Sequence, residues 1–197
     1  MSRTAIVVLV ALGAALVGFA FSSTANRLRE GEETTPVASA AARPQRAVLD
    51  WRETYGPTGE KLVFRVHWLE VTESGWAARI GLENRTSVAY SVGDPRATLD
   101  RSFGLMLFAR GDLADLERRN AQGALPAVRL ARSFQPELPA VLEPGASWEG
   151  TISAPGALAA GSFVRVVFGA LTAVGRVPEG LLEQVVWITD SAHRLEP

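Results

Sequence analysis

The chain predicts an all-β fold: a sandwich of two antiparallel sheets with about seven strands and one short surface helix. Three observations predict it. Apolar residues recur at period two in several short segments between residues 61 and 190. Gly, Pro, Asn and Asp clusters separate those segments, as turns between strands require. Only one stretch in that region carries helical spacing.

The strands follow in order. KLVFRVHWLEV (61–71) places Leu62, Phe64, Val66 and Trp68 at alternate positions. WAARIGLEN (76–84) sets Trp76, Ala78, Ile80 and Leu82 against Ala77, Arg79, Gly81 and Glu83. SVAYSV (87–92), SFGLMLFA (102–109), SWEGTIS (147–153), SFVRVVFGAL (162–171) and EQVVWITD (183–190) complete the set. In GDLADLERRNAQG (111–123), Asp112 is an N-cap residue and Leu113 and Leu116 form an i, i+3 pair, which predicts a short helix. After it, residues 125–145 hold Pro126, Pro136, Pro139 and Pro144. Proline donates no ladder hydrogen bond, so at most short strands or an edge are expected there.

The N-terminal part is of another kind. Residues 1–4 are a short tail, and 5–21 (AIVVLVALGAALVGFAF) carry no charge. As a helix this run spans about 25 Å, close to the ~30 Å hydrocarbon thickness of a bilayer. It reads as a signal-anchor holding the rest of the chain outside the cytoplasm. The alternative is a signal peptide cut after Ala25, with Ser23 and Ala25 as the small flanking residues and a secreted product. Residues 22–47 are polar, alanine-rich and interrupted by Pro36 and Pro44, and are expected to form a flexible stalk. The sandwich domain is then expected over 48–197.

Composition narrows the chemistry. Of 197 residues, 47% are hydrophobic and 21% charged, which suits a folded domain. The net charge of −1 gives no basic surface for nucleic acid. With no cysteine there is no disulfide, thiol nucleophile or thiolate metal site. The two histidines, His67 and His193, lie far apart in sequence with no ligand spacing around them. Asp94, Asp100, Asp112, Asp115 and Asp190 fall near loop ends without a calcium-loop pattern. No phosphate loop, dinucleotide fingerprint or nucleophile elbow occurs; Gly145-Ala146-Ser147 only echoes the last. No catalytic residue, cofactor or metal is assigned.

Trp68, Trp76, Trp148 and Trp187 all sit in alternating strands beside aliphatic neighbours, so core packing is their expected role. Trp51 lies outside the periodic segments and is the candidate for stacking on a ligand.

IGLENRTSVAYSV (80–92), followed by LEPGASWEGTISAPG (142–156) and FVRVVF (163–168), resembles bacterial cell-surface and secreted immunoglobulin-like domains of unknown function. Asn84, Arg85 and Thr86 match an N-x-[ST] turn that closes a strand. Leu142, Pro144, Gly145 and Gly150 match an L-x-P-G-x-x-x-x-G turn-and-strand. The resemblance covers roughly 60–190. It implies an immunoglobulin-like sandwich acting outside the cytoplasm as an interaction or structural module without catalysis.

The expected function is therefore a membrane-tethered module contacting an unknown protein or cell-envelope component. The helix and proline-rich stretch form the expected contact surface, through Leu113, Leu116, Arg118, Arg119, Arg129, Arg132 and Phe134. Two alternatives stand beside it: a small-ligand or carbohydrate module using an exposed tryptophan, and a hydrolase with a carboxylate pair not visible in sequence.

Overall fold

A computed structural model describes residues 40–93, 103–108 and 113–197. The apolar segment 5–21 and most of the expected stalk lie outside the described residues. No helix within the described residues is long and apolar enough to cross a membrane.

These residues form twelve strands and one helix, arranged as two antiparallel sheets. The first sheet contains β1 (Gln45–Tyr55), β2 (Lys61–Val71), β3 (Gly75–Arg85), β9 (Ser147–Pro155) and β7 (Ser133–Gln135), in the order β1-β2-β3-β9-β7. The second is built on β10 (Phe163–Val174). On one side β10 pairs with β4 (Ala89–Ser91) and β5 (Gly104–Phe108), which carry β8 (Val141–Leu142) and β6 (Val128–Leu130) beyond them. It also pairs with β11 (Gln184–Ile188) and β12 (His193–Arg194). The helix, α1, spans Leu113–Ala121.

All seven expected strands are present, and five further ones raise the count. Three of the additions, β6, β7 and β8, are two or three residues long and lie between the prolines of 125–145, as the missing donors dictate. The largest addition is β1. Its exposure alternates residue by residue, with Leu49, Trp51 and Tyr55 packed inward. The charged residues between them disguise that period in the sequence. Residues 40–47, expected as the end of the stalk, are part of the fold. Ala41 bridges to Ala159, Ala42 is buried, and the Ala42 amide donates to the Leu158 carbonyl at 2.7 Å.

The main core lies between the sheets. The first sheet contributes Leu62, Phe64, Val66, Leu69, Val71, Trp76, Ala78, Ile80, Leu82, Trp148 and Ile152. Facing them are Tyr90, Phe103, Leu105, Val164, Val166, Phe168 and Leu171 of the second sheet and its flanking loop. The aromatic side chains interlock. Phe64 stacks on Trp187 with centroids 5.3 Å apart and tilts against Phe168 at 5.1 Å. Geometries of this kind add to the stabilisation from area burial alone.

Trp148 belongs to this core at 7% exposure. Its indole N–H donates to the Glu137 carbonyl at 3.1 Å, which satisfies the ring's one polar group. The ring lies across Gly150, where a Cβ would come within 2.7 Å of the indole Cη2. A turn around Gly145, at φ 78°, precedes this strand. The tryptophan after the Pro-Gly turn therefore seals the sandwich.

Trp68 departs from expectation. The β2–β3 register steps from Val66 opposite Ile80 to Trp68 opposite Arg79, leaving His67 as an extra residue. This β-bulge reverses the phase of β2, so Leu69 and Val71 face the core instead of Trp68. The half-buried Trp68 ring sits on the outer side, with the Arg46 guanidinium 4.2 Å from its centroid. β1 bulges opposite the same point, between Val48 and Trp51, with Asp50 at φ 47°.

A second, smaller cluster covers the outer face of the second sheet. Met106, Phe108, Val128, Leu130 and Val167 are buried there, with Leu125, Phe163, Val186 and Ile188 against them. Arg165 lies in the same row as Met106 and is 3% exposed. Burial pushes its pKa down, opposed by the charges of Asp190, Glu53 and Glu117.

Candidate functional site

Four strands of the first sheet place one row of residues side by side on its outer face. Glu70 of β2 is opposite Ala77 of β3, Ala77 is opposite Ser153 of β9, and Ser153 is opposite Ser133 of β7. Three of these four side chains are small, so the face is hollow along this row. The hollow continues to the end of the sheet, where two turns meet. The β2–β3 turn is closed by the Thr72 amide to the Gly75 carbonyl at 2.9 Å. The Gly156 amide then donates to the Ser74 carbonyl at 2.8 Å and ties in the β9–β10 turn.

The result is an open groove of about 530 Å³. Gly75, Ala77 and Pro155 line it, together with Trp76 and Ala154, which also pack on the main core. Ser74, Ser133 and Ser153 bring hydroxyls to it, and Glu70 and Arg132 bring charges of opposite sign. The Thr72 hydroxyl is taken up by Gly75, donating to its carbonyl at 3.2 Å and accepting from its amide at 3.0 Å. The Glu70 carboxylate already accepts from Arg46 at 3.3 Å. Arg132 is anchored through its backbone, whose amide donates to the Ser153 carbonyl at 2.7 Å. Its side chain is exposed and forms no ion pair among the described residues.

The structure separates the residues expected to form a contact surface. Arg132 lines the groove; Arg129, on β6 of the second sheet, is not among its lining residues and reaches the Ala157 carbonyl at 3.5 Å, beside the same β9–β10 turn. Arg118 and Arg119 are exposed on the last turn of α1. Leu113 and Leu116 lie on that helix, and their side chains are outside the described set. Phe134 points inward: it pairs with Ile152, meets Phe103 edge-on at 6.1 Å and packs on the main core. Trp51 is also turned to the core, half-buried opposite Val66.

Sequence reasoning missed Glu70, Thr72, Ser74 and Ser153, because their proximity depends on strand register. One signal was present: Gly75, Ala77 and Ser153 are small residues on strands otherwise rich in large ones.

The rest of the outer face is a lattice of charge pairs. Arg79 meets Glu149 at 3.0 Å, Arg65 meets Glu83 at 3.2 Å, and Arg85 meets Glu83 at 2.6 Å. The hydrogen bond from Arg85 holds the Glu83 carboxyl below its usual range. His67 stands 3.8 Å from Glu149. Exposed pairs of this kind contribute little stability each. Among the described residues no group of three or more His, Asp or Glu side chains could hold a metal ion. Of the loop carboxylates, only Asp190 has a described side chain; its backbone amide donates to Glu53 at 3.0 Å.

Compared with family models, with curated proteins and with solved structures, the chain matches none.

Proposed function

We propose that this chain is a membrane-tethered, immunoglobulin-like module that works outside the cytoplasm and binds an envelope component without catalysis, using the groove around Arg132. The immunoglobulin-like part is supported by strand order. Taken in chain sequence, β2, β3, β5, β7, β9, β10 and β11 correspond to strands A to G. One sheet then runs A-B-E-D and the other C-F-G, the arrangement of a constant-type immunoglobulin sandwich. β1 is an added edge strand beside A, and β4 precedes β5 along the same side of β10.

The binding part rests on one observation: a cation without a partner among the described residues stands beside an open, hydroxyl-lined groove on a rigid pair of turns. The extracytoplasmic part is supported by the uncharged run at 5–21 and the absence of cysteine.

Two experiments test the reading. The chain has no cysteine, so Val48→Cys, at a side chain 75% exposed, provides a single thiol. A membrane-impermeant maleimide added to intact cells is expected to label it; labelling only after lysis would overturn the location. A photo-crosslinking residue at Ser133 is expected to give a discrete adduct that the same residue at Val48 does not. Equal or absent adducts at both positions would overturn the groove as the contact.

A further inference from the structure

We infer that the groove takes a saccharide bearing a carboxylate, with Arg132 receiving the acid group. This deepens the proposed function and rests on the groove being its contact surface.

The chemistry of the lining selects the class. The lining combines the small or apolar residues Gly75, Ala77 and Pro155 with three serine hydroxyls unbonded among the described residues, of Ser74, Ser133 and Ser153, and with the two charges of Glu70 and Arg132. A ligand matching it has an apolar face and a polar perimeter, as a pyranose ring does: C–H groups above and below, hydroxyls around the edge. A lipid chain does not suit the lining, since covering it would leave Ser74, Ser133 and Ser153 without partners, whereas the Thr72 hydroxyl is already met by Gly75. An extended peptide would need a long free strand edge, and the one beside the groove, β7, has three residues. A nucleic acid needs several cations along its backbone, whereas Glu70 stands in the groove opposite Arg132.

The charges then choose among saccharides. Glu70 is already met by Arg46, so the charge still open in the groove is the Arg132 guanidinium. Its planar fork matches a carboxylate in a bidentate manner, which a neutral sugar cannot offer. Glu70 keeps acceptor capacity for a sugar hydroxyl or amide. The anchoring of the Arg132 backbone to Ser153 holds the base of the side chain in place.

The test uses the full-length chain purified in detergent. The probes are a galacturonic acid trimer, a hyaluronan tetrasaccharide and the N-acetylglucosamine–N-acetylmuramic acid disaccharide, each beside its carboxyl methyl ester. Titration calorimetry is expected to detect binding of at least one acid form. Esterification or Arg132→Met should weaken it about tenfold, as loss of a charge-assisted contact does, and raised salt should weaken the acid form alone. Ala77→Phe, which fills the groove, should abolish binding while the circular dichroism spectrum stays unchanged. Absence of binding by all three acids, equal binding of the esters, or unaltered binding by the Arg132 variant would overturn the inference. If these fail while the Ser133 crosslinker still captures a protein, the interaction module stands and its ligand is not a sugar acid. If the Val48→Cys thiol is labelled only after lysis, the broader reading fails, whatever the sugars do.

Discussion

The side-chain amide of Asn84 donates to the Leu142 carbonyl at 2.9 Å and thereby joins the end of β3 in one sheet to β8 in the other. The same nitrogen donates to the Val88 carbonyl at 2.8 Å, and its oxygen accepts from the Thr86 amide and hydroxyl at 3.0 and 2.7 Å. The backbone of Asn84 is also engaged: its N–H donates to the Ala146 carbonyl, and its carbonyl accepts from Gly145. The N-R-T and L-E-P-G segments, far apart in sequence, therefore form one bonded junction. Asn84 is wholly buried, so each bond lost would leave a polar group without water.

Asn84→Ala is accordingly expected to cost about 3 kcal/mol, the sum of several orphaned groups discounted for relaxation. Urea unfolding followed by tryptophan fluorescence would show a lower midpoint with the slope kept. Asn84→Asp should be no milder at neutral pH, because a carboxylate cannot donate to Leu142 and Val88. A loss under about 1 kcal/mol for both variants would mean that the junction is incidental.

Gly150 tests the seat of Trp148. Because the indole lies across this position, and the Gln135 carbonyl would stand 2.9 Å from an added Cβ, Gly150→Ala forces the ring or β7 to move. The expected cost is about 1–3 kcal/mol, as for overpacking elsewhere. Trp148→Leu is destabilising alone through lost area, yet should make Gly150→Ala nearly neutral when combined with it. Thermal melts of the four proteins give the coupling; simple additivity would place the ring elsewhere.

How far the sequence carries the reader differs from strand to strand. β2 and β3 were legible from Leu62, Phe64, Ile80 and Leu82, whose period two survives into the core. Trp68 misled, because alternation assumes one residue per partner and His67 breaks that count. No composition signal marks such a bulge. β1 was hidden for another reason: an edge strand with a wet outer face alternates charge with modest apolar residues, and the average looks like linker. The groove is a product of register. Glu70, Ala77, Ser153 and Ser133 come from four strands and adjoin only because the sheet pairs them in one row. Arg132 alone could be picked out beforehand, as a cation in a proline-rich connection.

Tyr90 gives a prediction about alkaline pH. The residue is fully buried, its hydroxyl has no partner among the described residues, and burial pushes its pKa up to about 12 from 10.0. The folded state therefore keeps the proton where the unfolded chain loses it. Stability from this group is complete below pH 10.0 and falls as pH rises toward about 12. Tyr90→Phe is expected to flatten that alkaline decline. At neutral pH it should be neutral or stabilising by up to about 1 kcal/mol, since it removes a buried hydroxyl that bonds to nothing. Melting temperatures from pH 7 to 11 would show the two curves diverging above about pH 10. Curves that stay parallel would mean that Tyr90 does not control the slope.

Glu53 closes the remaining edge of the sandwich. From the inner side of β1 its carboxylate accepts from the Trp187 indole at 2.7 Å and from the amides of Asp190 and Ser191 at 3.0 and 3.2 Å. Three donors on one carboxylate bind β11 and its following turn to the opposite sheet. The neighbouring Tyr55 hydroxyl accepts from the Leu182 amide at 2.8 Å and does the same for the entry to β11. Among the described residues β11 otherwise pairs only with β10, in a register interrupted between Phe168 and Leu171. Glu53→Ala should therefore loosen this edge locally before it lowers global stability. Hydrogen exchange is expected to accelerate about tenfold or more at 187–191, while the amides of β2 and β3 keep their protection. Trp187 emission should also shift to the red as its N–H loses the carboxylate. Uniform acceleration across all strands would instead show that the sandwich opens as one unit and that Glu53 holds no separate edge.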